Sequence, residues 1–201
     1  MTVSAADVKA LRDRTGAGMM DCKAALAEAE GDVDRAIEIL RVKGQASAAK
    51  RAGRGTGEGV VSSYIHANDQ VGAMVEVQCE TDFVARSDEF KAFAYEIALH
   101  VAGTGARYIS AEDIPESELE NERRVLEEEA REEGLPDDKL AQIVDGRLAK
   151  GQKEMVLLEQ EHINADKHEG KTIEELRQEL AAKTGENVRV ARFAYFRVGE
   201  E

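Results

Sequence analysis

Residues 60–103 read VVSSYIHANDQVGAMVEVQCETDFVARSDEFKAFAYEIALHVAG. In the first half, apolar and polar residues alternate in two runs, 60–67 and 71–80, and the turn-forming Asn-Asp-Gln between them predicts a β-hairpin. In the second half, Ser87 can cap a helix. The apolar residues of that helix recur at helical spacing: Phe90, Phe93, Ala94, Ile97 and Val101. A hairpin followed by an amphipathic helix predicts an α+β fold with a small antiparallel sheet.

The chain before this stretch predicts three short helices within residues 4–43. Ser4 and Asp32 are suitable N-caps for the first and third helices, and the TGAG sequence at 15–18 separates the first from the second. Apolar residues three or four apart supply a common core: Val8, Leu11, Met19, Cys22, Leu26, Ala29, Val33, Ile37 and Leu40. We therefore predict a three-helix domain at residues 1–44.

The composition changes at residues 45–59, which read QASAAKRAGRGTGEG. Small residues and four glycines predict a flexible linker here. The basic residues of the linker leave open a contact with phosphates, although a solvated hinge is the favoured interpretation. We predict that residues 60–201 form one α+β core.

Within that core, residues 115–153 predict two helices joined near 134–136. Residues 110–154 hold fifteen acidic and seven basic residues, and the apolar stripes on both helices are narrow. We therefore predict an acidic helical hairpin that projects from the core or meets a partner.

The chain ends in one more predicted helix and a long strand at 187–198, in which alternation is imperfect. This strand contains no proline, and an exposed edge strand of this kind tends to acquire a partner. The strand therefore favours a homodimer, the commonest symmetric assembly. The alternative is that the acidic hairpin covers the same edge within one chain.

The composition also restricts the partners. A formal net charge of −14 argues against a nucleic-acid partner, because such proteins need basic surface to neutralise phosphates. Cys22 and Cys79 are too few for a disulfide framework and fit a reducing compartment. The N-terminus has no apolar signal segment, and no apolar run reaches the roughly 18 residues of a membrane span. We expect a cytoplasmic protein with no direct nucleic-acid or membrane partner.

The motifs that resemble cofactor sites lack residues that such sites require. Residues 165–172, ADKHEGKT, resemble a phosphate loop, but Ala165 stands in place of its first glycine. Thr172 and Glu175 suit a helix capping box better. The four histidines do not share metal-ligand spacing with either cysteine. We expect no catalytic, cofactor-binding or metal-binding residues, and an NTPase using residues 170–172 is the less favoured alternative.

Two segments resemble the signatures of the elongation factor Ts family. Residues 11–44, which include TGAGMMDCK, are similar to its N-terminal domain, and residues 75–90, VEVQCETDFVARSDEF, are similar to its second signature. VLLEQ at 156–160 and GENVRVARF at 185–193 are similar to its last segments. The resemblance covers nearly the whole chain, in the same order, and points to the short bacterial form with one core domain. It departs at residues 161–162, where Glu-His replaces the family's usual Pro-Phe.

The resemblance implies an N-terminal module of ubiquitin-associated type followed by an α+β core. It also implies a homodimeric guanine nucleotide exchange factor, without enzymatic activity or a cofactor of its own, whose partner is the GTPase elongation factor Tu carrying GDP. An Asp-Phe pair of the family disturbs the Mg²⁺ site beside that nucleotide. The residues that match this pair and its flanks are Thr81, Asp82, Phe83 and Val84. Those that match the docking surface of the N-terminal domain are Arg12, Met19 and Met20.

Each of these roles has a structural alternative. Phe83 either inserts into a partner or packs beneath its own helix. Met19 and Met20 are adjacent and cannot both face one side of a helix, so we expect one of them to be exposed and suited to a partner groove. A core residue beside a surface residue is the alternative for this pair. For the whole protein, a protein-binding adaptor built on residues 1–44 alone is the main rival of an exchange factor.

Overall fold

The computed structural model describes residues 3–200, apart from the side chains of residues 137 and 138, so residues 1, 2 and 201 of the predicted domains lie outside the described residues. In chain order the helices and strands are α1 (Ala5–Thr15), α2 (Met19–Glu28), α3 (Val33–Arg51), β1 (Glu58–Ile65), β2 (Val71–Cys79), α4 (Asp82–Arg86), α5 (Asp88–Thr104), α6 (Glu116–Glu132), α7 (Asp137–Met155), α8 (Ala165–His168), α9 (Ile173–Thr184) and β3 (Arg189–Arg197). The strands form one antiparallel sheet in the order β1-β2-β3, which confirms the predicted α+β class. Among the described helices, none has the length and apolarity that crossing a membrane requires.

Helices α1, α2 and α3 pack on one another around a common apolar core. The Ser4 side chain accepts from the amide of Asp7, and the Asp7 carboxylate accepts from the amide of Ser4, which forms a capping box. Asp32 Oδ1 accepts from the amides of Asp34 and Arg35 at 3.0 Å each. The buried residues of this core are Val8, Leu11, Cys22, Ala25, Leu26, Ala29, Ala36 and Leu40. The three predicted helices and both predicted N-caps are therefore confirmed.

Helix α3 extends farther than the sequence predicted. Residues 45–51, expected to be flexible linker, continue the helix, because their three alanines favour helix strongly and Ala48 is buried. Arg51 fixes the end of the helix, since Nη1 donates to the carbonyl of Ala181 at 3.0 Å and Nη2 donates to Ser47 Oγ at 2.9 Å. The linker is thus shorter than predicted.

The chain divides into two compact units. The first contains α1–α3, α4 and most of α9, and consists of the residues up to 61, 76–94 and 175–191. The second contains α6, α7 and α8, and consists of residues 62–75, 95–174 and those from 192 onwards. This division differs from the boundary suggested by composition, so a separate domain at residues 1–44 stays a prediction.

The predicted acidic hairpin is the pair α6 and α7 of the second unit, which pack on each other. Arg123 Nη1 lies 2.7 Å from Asp145 Oδ1 across the pair. Exposed ion pairs such as this one stabilise a fold by about 0–1 kcal/mol. The hairpin therefore depends more on the apolar side chains it buries, which include Ala130, Val144 and Leu148.

The sheet positions the segment that follows its central strand. The alternation predicted for β2 is confirmed, because every second residue is buried: Ala73, Val75, Val77 and Cys79. β1 and β3 are the edge strands. In β3, Val190 is buried, whereas Phe196 is 64% exposed.

Candidate partner-binding site

The four residues predicted to act on the partner's Mg²⁺ site, 81–84, lie directly after β2 and are called the insertion segment below. Thr81 is the N-cap of the short helix α4, and its Oγ1 accepts from the amide of Val84 at 3.4 Å. Asp82 Oδ2 lies 3.2 Å from Arg86 Nη2, one turn farther along the helix. The Phe83 residue is 84% exposed. The alternative in which Phe83 packs beneath its own helix is therefore wrong.

The geometry of α4 explains why Phe83 points outward. Residues two apart on a helix point to nearly opposite sides, about 200° apart, and Ala85 is buried. Ser87 ends α4 in an extended conformation, with its Oγ donating to the carbonyl of Val84 at 2.8 Å and accepting from the amide of Phe90 at 3.3 Å. Because Ala85 occupies the inner side of this single turn, Phe83 has no core to enter.

Glu186, which follows α9, holds the start of the insertion segment. Its Oε2 accepts from the amides of Glu80 and Thr81 at 3.0 Å each, and its Oε1 accepts from Thr81 Oγ1 at 2.5 Å. Hydrogen bonds to a carboxylate are among the stronger ones in proteins. One side chain therefore fixes both the backbone and the capping hydroxyl at the base of α4.

Glu80 and Asn187 extend this network to the end of α3. Glu80 Oε1 accepts from the amide of Asn187 at 2.7 Å and lies 3.4 Å from Arg54 Nη1. The buried side chain of Asn187 donates through Nδ2 to the carbonyls of Ala52, at 3.2 Å, and Arg54, at 2.9 Å. The residues after α3, after β2 and after α9 are thus tied together within the first unit.

Cys79 supports the same base from the core side. Its Sγ donates to the carbonyl of Thr81 at 3.2 Å. Burial, and then the negative charge of Glu186, raise the pKa of the Cys79 thiol to about 11. The thiol therefore keeps its proton at neutral pH and remains a donor.

The residues predicted to dock on the partner lie on α1 and α2. Met19 is 47% exposed and Met20 is 72% exposed, so both are accessible, whereas the sequence predicted one. They occupy the first turn of α2, and the buried side of that helix begins only at Cys22. Arg12 is exposed on α1. We call Met19 and Met20 the methionine patch, and their docking role, with that of Arg12, stays a prediction.

Helix α9 contacts the turn between α1 and α2. Gly16 in that turn has φ of +67°, a conformation that glycine adopts readily, and a Cβ added there would lie 2.9 Å from Lys183 Cδ. Lys183 Nζ forms an ion pair with Glu89 Oε1 at the start of α5. Within the first unit, α9 therefore meets the turn before the methionine patch, and the residues after α9 hold the insertion segment.

No sequence pattern pointed to four residues that the structure adds to the site: Glu80, Lys183, Glu186 and Asn187. They are polar residues without a periodic pattern, and in an acidic chain they resemble ordinary surface. The sequence did contain one signal, Gly185. This glycine follows α9 with φ of +75°, so the chain changes direction just before Glu186 and Asn187. Polar residues at such a turn are well placed for contacts distant in sequence.

A separate group of ionisable side chains lies in the second unit. Glu96, His162 and His168 place their ligand atoms within 4.8 Å of one another. Burial would raise the pKa of Glu96, but the hydrogen bond and charge of Lys167 hold it below its usual value. Burial, and then the proximity of His168, lower the pKa of His162. The prediction that metal-binding residues are absent considered only spacing to the cysteines, so it did not test this group.

Burial also lowers the pKa of the neighbouring His100, to about 4, so that this ring is neutral near pH 7. Its Nε2 lies 2.7 Å from Gln160 Oε1, and its Nδ1 accepts from the amide of Ile163 at 3.0 Å. Both ring nitrogens of His100 are therefore occupied by protein groups.

Comparison with known proteins gives a consistent result. The sequence profile described as "Elongation factor TS" matches residues 3–169. Curated proteins named "Elongation factor Ts" are similar over nearly the whole chain: that of Thermoanaerobacter sp. (strain X514) is 52% identical over 98% of this chain and 96% of its own. The protein from Caldanaerobacter subterraneus subsp. tengcongensis is 52% identical over 98% of both chains. The protein from Thermosipho melanesiensis is 47% identical over 98% of this chain and all of its own length.

Proposed function

Since this chain belongs to the elongation factor Ts family of translation elongation factors, we propose that it is the guanine nucleotide exchange factor of the GTPase elongation factor Tu. It binds elongation factor Tu carrying GDP, disturbs the site of Mg²⁺ and GDP, and allows GTP to replace GDP. In this proposal the chain forms and breaks no covalent bond, needs no cofactor and works in the cytoplasm without contacting nucleic acid.

The observation that carries the proposal is the exposure of Phe83 on a fixed support. Burying an aromatic side chain of this size is worth about 1.5–3 kcal/mol, and with 84% of the residue exposed most of that free energy is still available for a partner. Glu186 holds the residues before Phe83 through three hydrogen bonds, so insertion requires little further ordering of the backbone.

The other residues of the insertion segment have supporting roles in this proposal. Mg²⁺ demands near-ideal octahedral geometry from its oxygen ligands, so a small displacement of those ligands weakens the binding of the ion. Phe83 supplies the displacement, and Asp82 brings a carboxylate next to it. Thr81 and Val84 hold the first turn of α4 through the capping hydrogen bond.

The methionine patch and Arg12 provide docking in this proposal. Methionine side chains are flexible and polarisable and adapt to irregular apolar grooves. Exposed methionines side by side at the start of α2 therefore suit a contact that forms before the insertion segment acts.

Exchange follows from linkage between two binding events. If the factor binds elongation factor Tu more tightly when Mg²⁺ and GDP are absent, GDP must weaken the binding of the factor by the same ratio. Each tenfold loss of nucleotide affinity requires about 1.4 kcal/mol of differential binding. The burial free energy of one phenylalanine ring thus accounts for a loss of nucleotide affinity of about one to two powers of ten.

A homodimer is part of the proposal. β3 is an edge strand without proline; Phe196 near its end is 64% exposed, and Val198 just after it is 73% exposed. An edge of this kind is suited to pairing with a second copy. Light scattering over a dilution series tests it: a single species of one chain, 22.0 kDa, that remains active in exchange contradicts the dimer.

The decisive experiment measures release of fluorescent GDP from elongation factor Tu in excess GTP. The release rate should rise with the concentration of this chain and then saturate. Unchanged release from a complex that nevertheless forms would support the adaptor instead. Binding of labelled nucleotide to the isolated chain would support the NTPase alternative.

A further inference from the structure

The segment of residues 161–172, which we call the histidine loop, is closed at its base. An antiparallel bridge pairs Glu161 with Thr172. The amide of His162 donates to the carbonyl of Lys171 at 2.9 Å. The loop contains α8, and its closure brings the rings of His162 and His168 to a centroid distance of 4.0 Å. The chain departs from the pattern of the family resemblance at the start of this loop.

Glu96 of α5 faces both imidazole rings. Its Oε2 lies 3.4 Å from His162 Nε2 and 3.5 Å from His168 Nε2. The side chains are 18% exposed for Glu96, 0% for His162 and 17% for His168. Three potential metal ligands therefore meet in a largely buried place.

Both Nε2 atoms lack a hydrogen-bond partner among the residues that the structure describes. Buried polar atoms in native proteins are nearly always satisfied, and an unsatisfied one indicates a missing water or ion. The same carboxylate oxygen, Glu96 Oε2, faces both of these atoms at 3.4 and 3.5 Å, so one ion placed between them would contact all three.

The surrounding residues hold the three side chains in this arrangement. Lys167 Nζ contacts Glu96 Oε1, which leaves Oε2 to face the histidines. His100, whose two ring nitrogens are already occupied, bonds the backbone at Ile163 and so fixes the residue after His162. These contacts restrain the carboxylate of Glu96 and the backbone beside His162.

The two distances from Glu96 Oε2 match the ligand spacing around a four-coordinate ion. Zinc bonds of about 2.0–2.1 Å to nitrogen and carboxylate oxygen place tetrahedral ligands about 3.3–3.4 Å apart, close to the two distances from Glu96 Oε2. We propose that Glu96 Oε2, His162 Nε2 and His168 Nε2 bind a divalent transition-metal ion, best matched by Zn²⁺, with the fourth position open to water. Ca²⁺ and Mg²⁺ do not suit this site, because both ions prefer oxygen ligands and two of the three ligands here are nitrogens.

Metal binding requires a proton to move within His162. Its Nδ1 accepts from the amide of Asn164 at 3.1 Å, so the metal-free ring carries its proton on Nε2. When the ion binds, Nε2 gives up that proton and Nδ1 takes one, so the ring stays neutral and no net proton is released from it. The hydrogen bond from Asn164 is lost in exchange for the bond between Nε2 and the metal.

The bound ion has a structural role in this proposal: it ties the histidine loop to α5. The site is independent of the proposed exchange activity, since the insertion segment and the methionine patch belong to the first unit and contribute no ligand.

The test uses the full chain without a histidine tag, freed of metal with a chelator and titrated with Zn²⁺ in a calorimeter. We expect one ion per chain. Glu96→Gln and His168→Ala should each weaken binding at least a hundredfold, since even residues that only orient a ligand cost about 10–100-fold. His66→Ala is the matched control, because this exposed histidine bonds Tyr64 outside the group, and it should bind Zn²⁺ like the unchanged chain.

Nitrogen-15 NMR of the histidine rings provides a second readout that does not depend on the variants folding. His162 should change from the Nε2-protonated to the Nδ1-protonated form when Zn²⁺ is added. Failure to bind Zn²⁺, binding that survives Glu96→Gln, an equal loss in His66→Ala, or an unchanged His162 tautomer at saturation would each overturn the proposal.

Discussion

The insertion segment and the methionine patch both expose apolar side chains, but they are supported in opposite ways. Glu186 bonds Thr81 across 105 positions of the chain, and Asn187 bonds Arg54 across 133. The methionine patch begins a helix whose N-cap, Gly18, makes no side-chain capping bond. The insertion segment is held by hydrogen bonds from distant residues, whereas the methionine patch lies in the first turn of a helix that begins at a glycine.

This difference teaches how the proposed work is divided. A ring that must displace metal ligands gains from a rigid base, because every degree of freedom left in the base weakens the displacement. A docking surface gains from side chains that can adapt to the partner. Changes in the insertion segment should therefore affect the rate at saturation, and changes in the methionine patch should affect the concentration needed to reach it.

The largest effect is expected from Phe83→Ala. Losing about 1.5–3 kcal/mol of ring burial in the exchange transition state should slow stimulated GDP release about tenfold to a hundredfold. The melting temperature of the free chain should barely change, because the residue is 84% exposed. Val125→Ala, at an exposed apolar position of α6, is the control. Unaltered release at saturating factor would remove Phe83 from the mechanism.

A smaller loss of exchange is expected from Glu186→Gln, which leaves Phe83 in place and weakens its base. The amide accepts through one oxygen only: in the place of Oε2 it keeps both backbone amides and leaves the Thr81 hydroxyl without its acceptor, and in the place of Oε1 both backbone amides lose theirs. Urea denaturation should show about 1–3 kcal/mol less stability, together with exchange slowed several-fold. Glu132→Gln, at an exposed glutamate of α6, controls for the loss of charge. Reduced stability with full activity would show that the base need not be rigid.

Met20→Asp should weaken association without lowering the maximal rate. A carboxylate placed in an apolar contact must be desolvated or must keep the contact open, so the concentration for half-maximal exchange should rise several-fold. Val42→Asp, at an exposed apolar residue of α3, introduces the same charge away from the patch. A lower maximal rate in Met20→Asp would contradict the division between docking and insertion.

The smallest effect concerns the thiol beneath the insertion segment. Burial holds the pKa of Cys79 in the folded chain at about 11, above that of an exposed thiol, so folding favours the protonated thiol. The resulting contribution to the free energy of unfolding is fully present below pH 9. It is lost as pH rises toward 11, by up to about 2–3 kcal/mol. Unfolding measured from pH 8 to 10.5 should therefore show a steeper decline in the unchanged chain than in Cys79→Ala. Parallel declines would show that the thiol is not shielded.

Local features of the fold could be predicted from the sequence. The capping residues Ser4 and Asp32, the hairpin alternation and the start of α5 near Ser87 depend on neighbours within a few residues, and each is where the pattern placed it. The end of α3 was harder, because Arg51 is fixed by the carbonyl of Ala181, far along the chain.

The candidate site was predictable only in part, for the same reason. The resemblance located residues 81–84, but the residues that support them act through the tertiary fold. Glu186 has no sequence feature that relates it to Thr81. Likewise, Glu96 of α5 becomes a neighbour of His162 and His168 only when the chain folds. Spacing along the sequence therefore could not relate the three residues.

The closed base of the histidine loop has a consequence for how this protein can change in length. Ile173 donates to the carbonyl of Gln160 at 3.0 Å, so the two ends of the loop are fixed together whatever lies between them. The entropy of closing a loop grows only with the logarithm of its length. Insertions after Glu169 should therefore be tolerated by the fold, and a reporter peptide grafted there should leave the flanking helices in place.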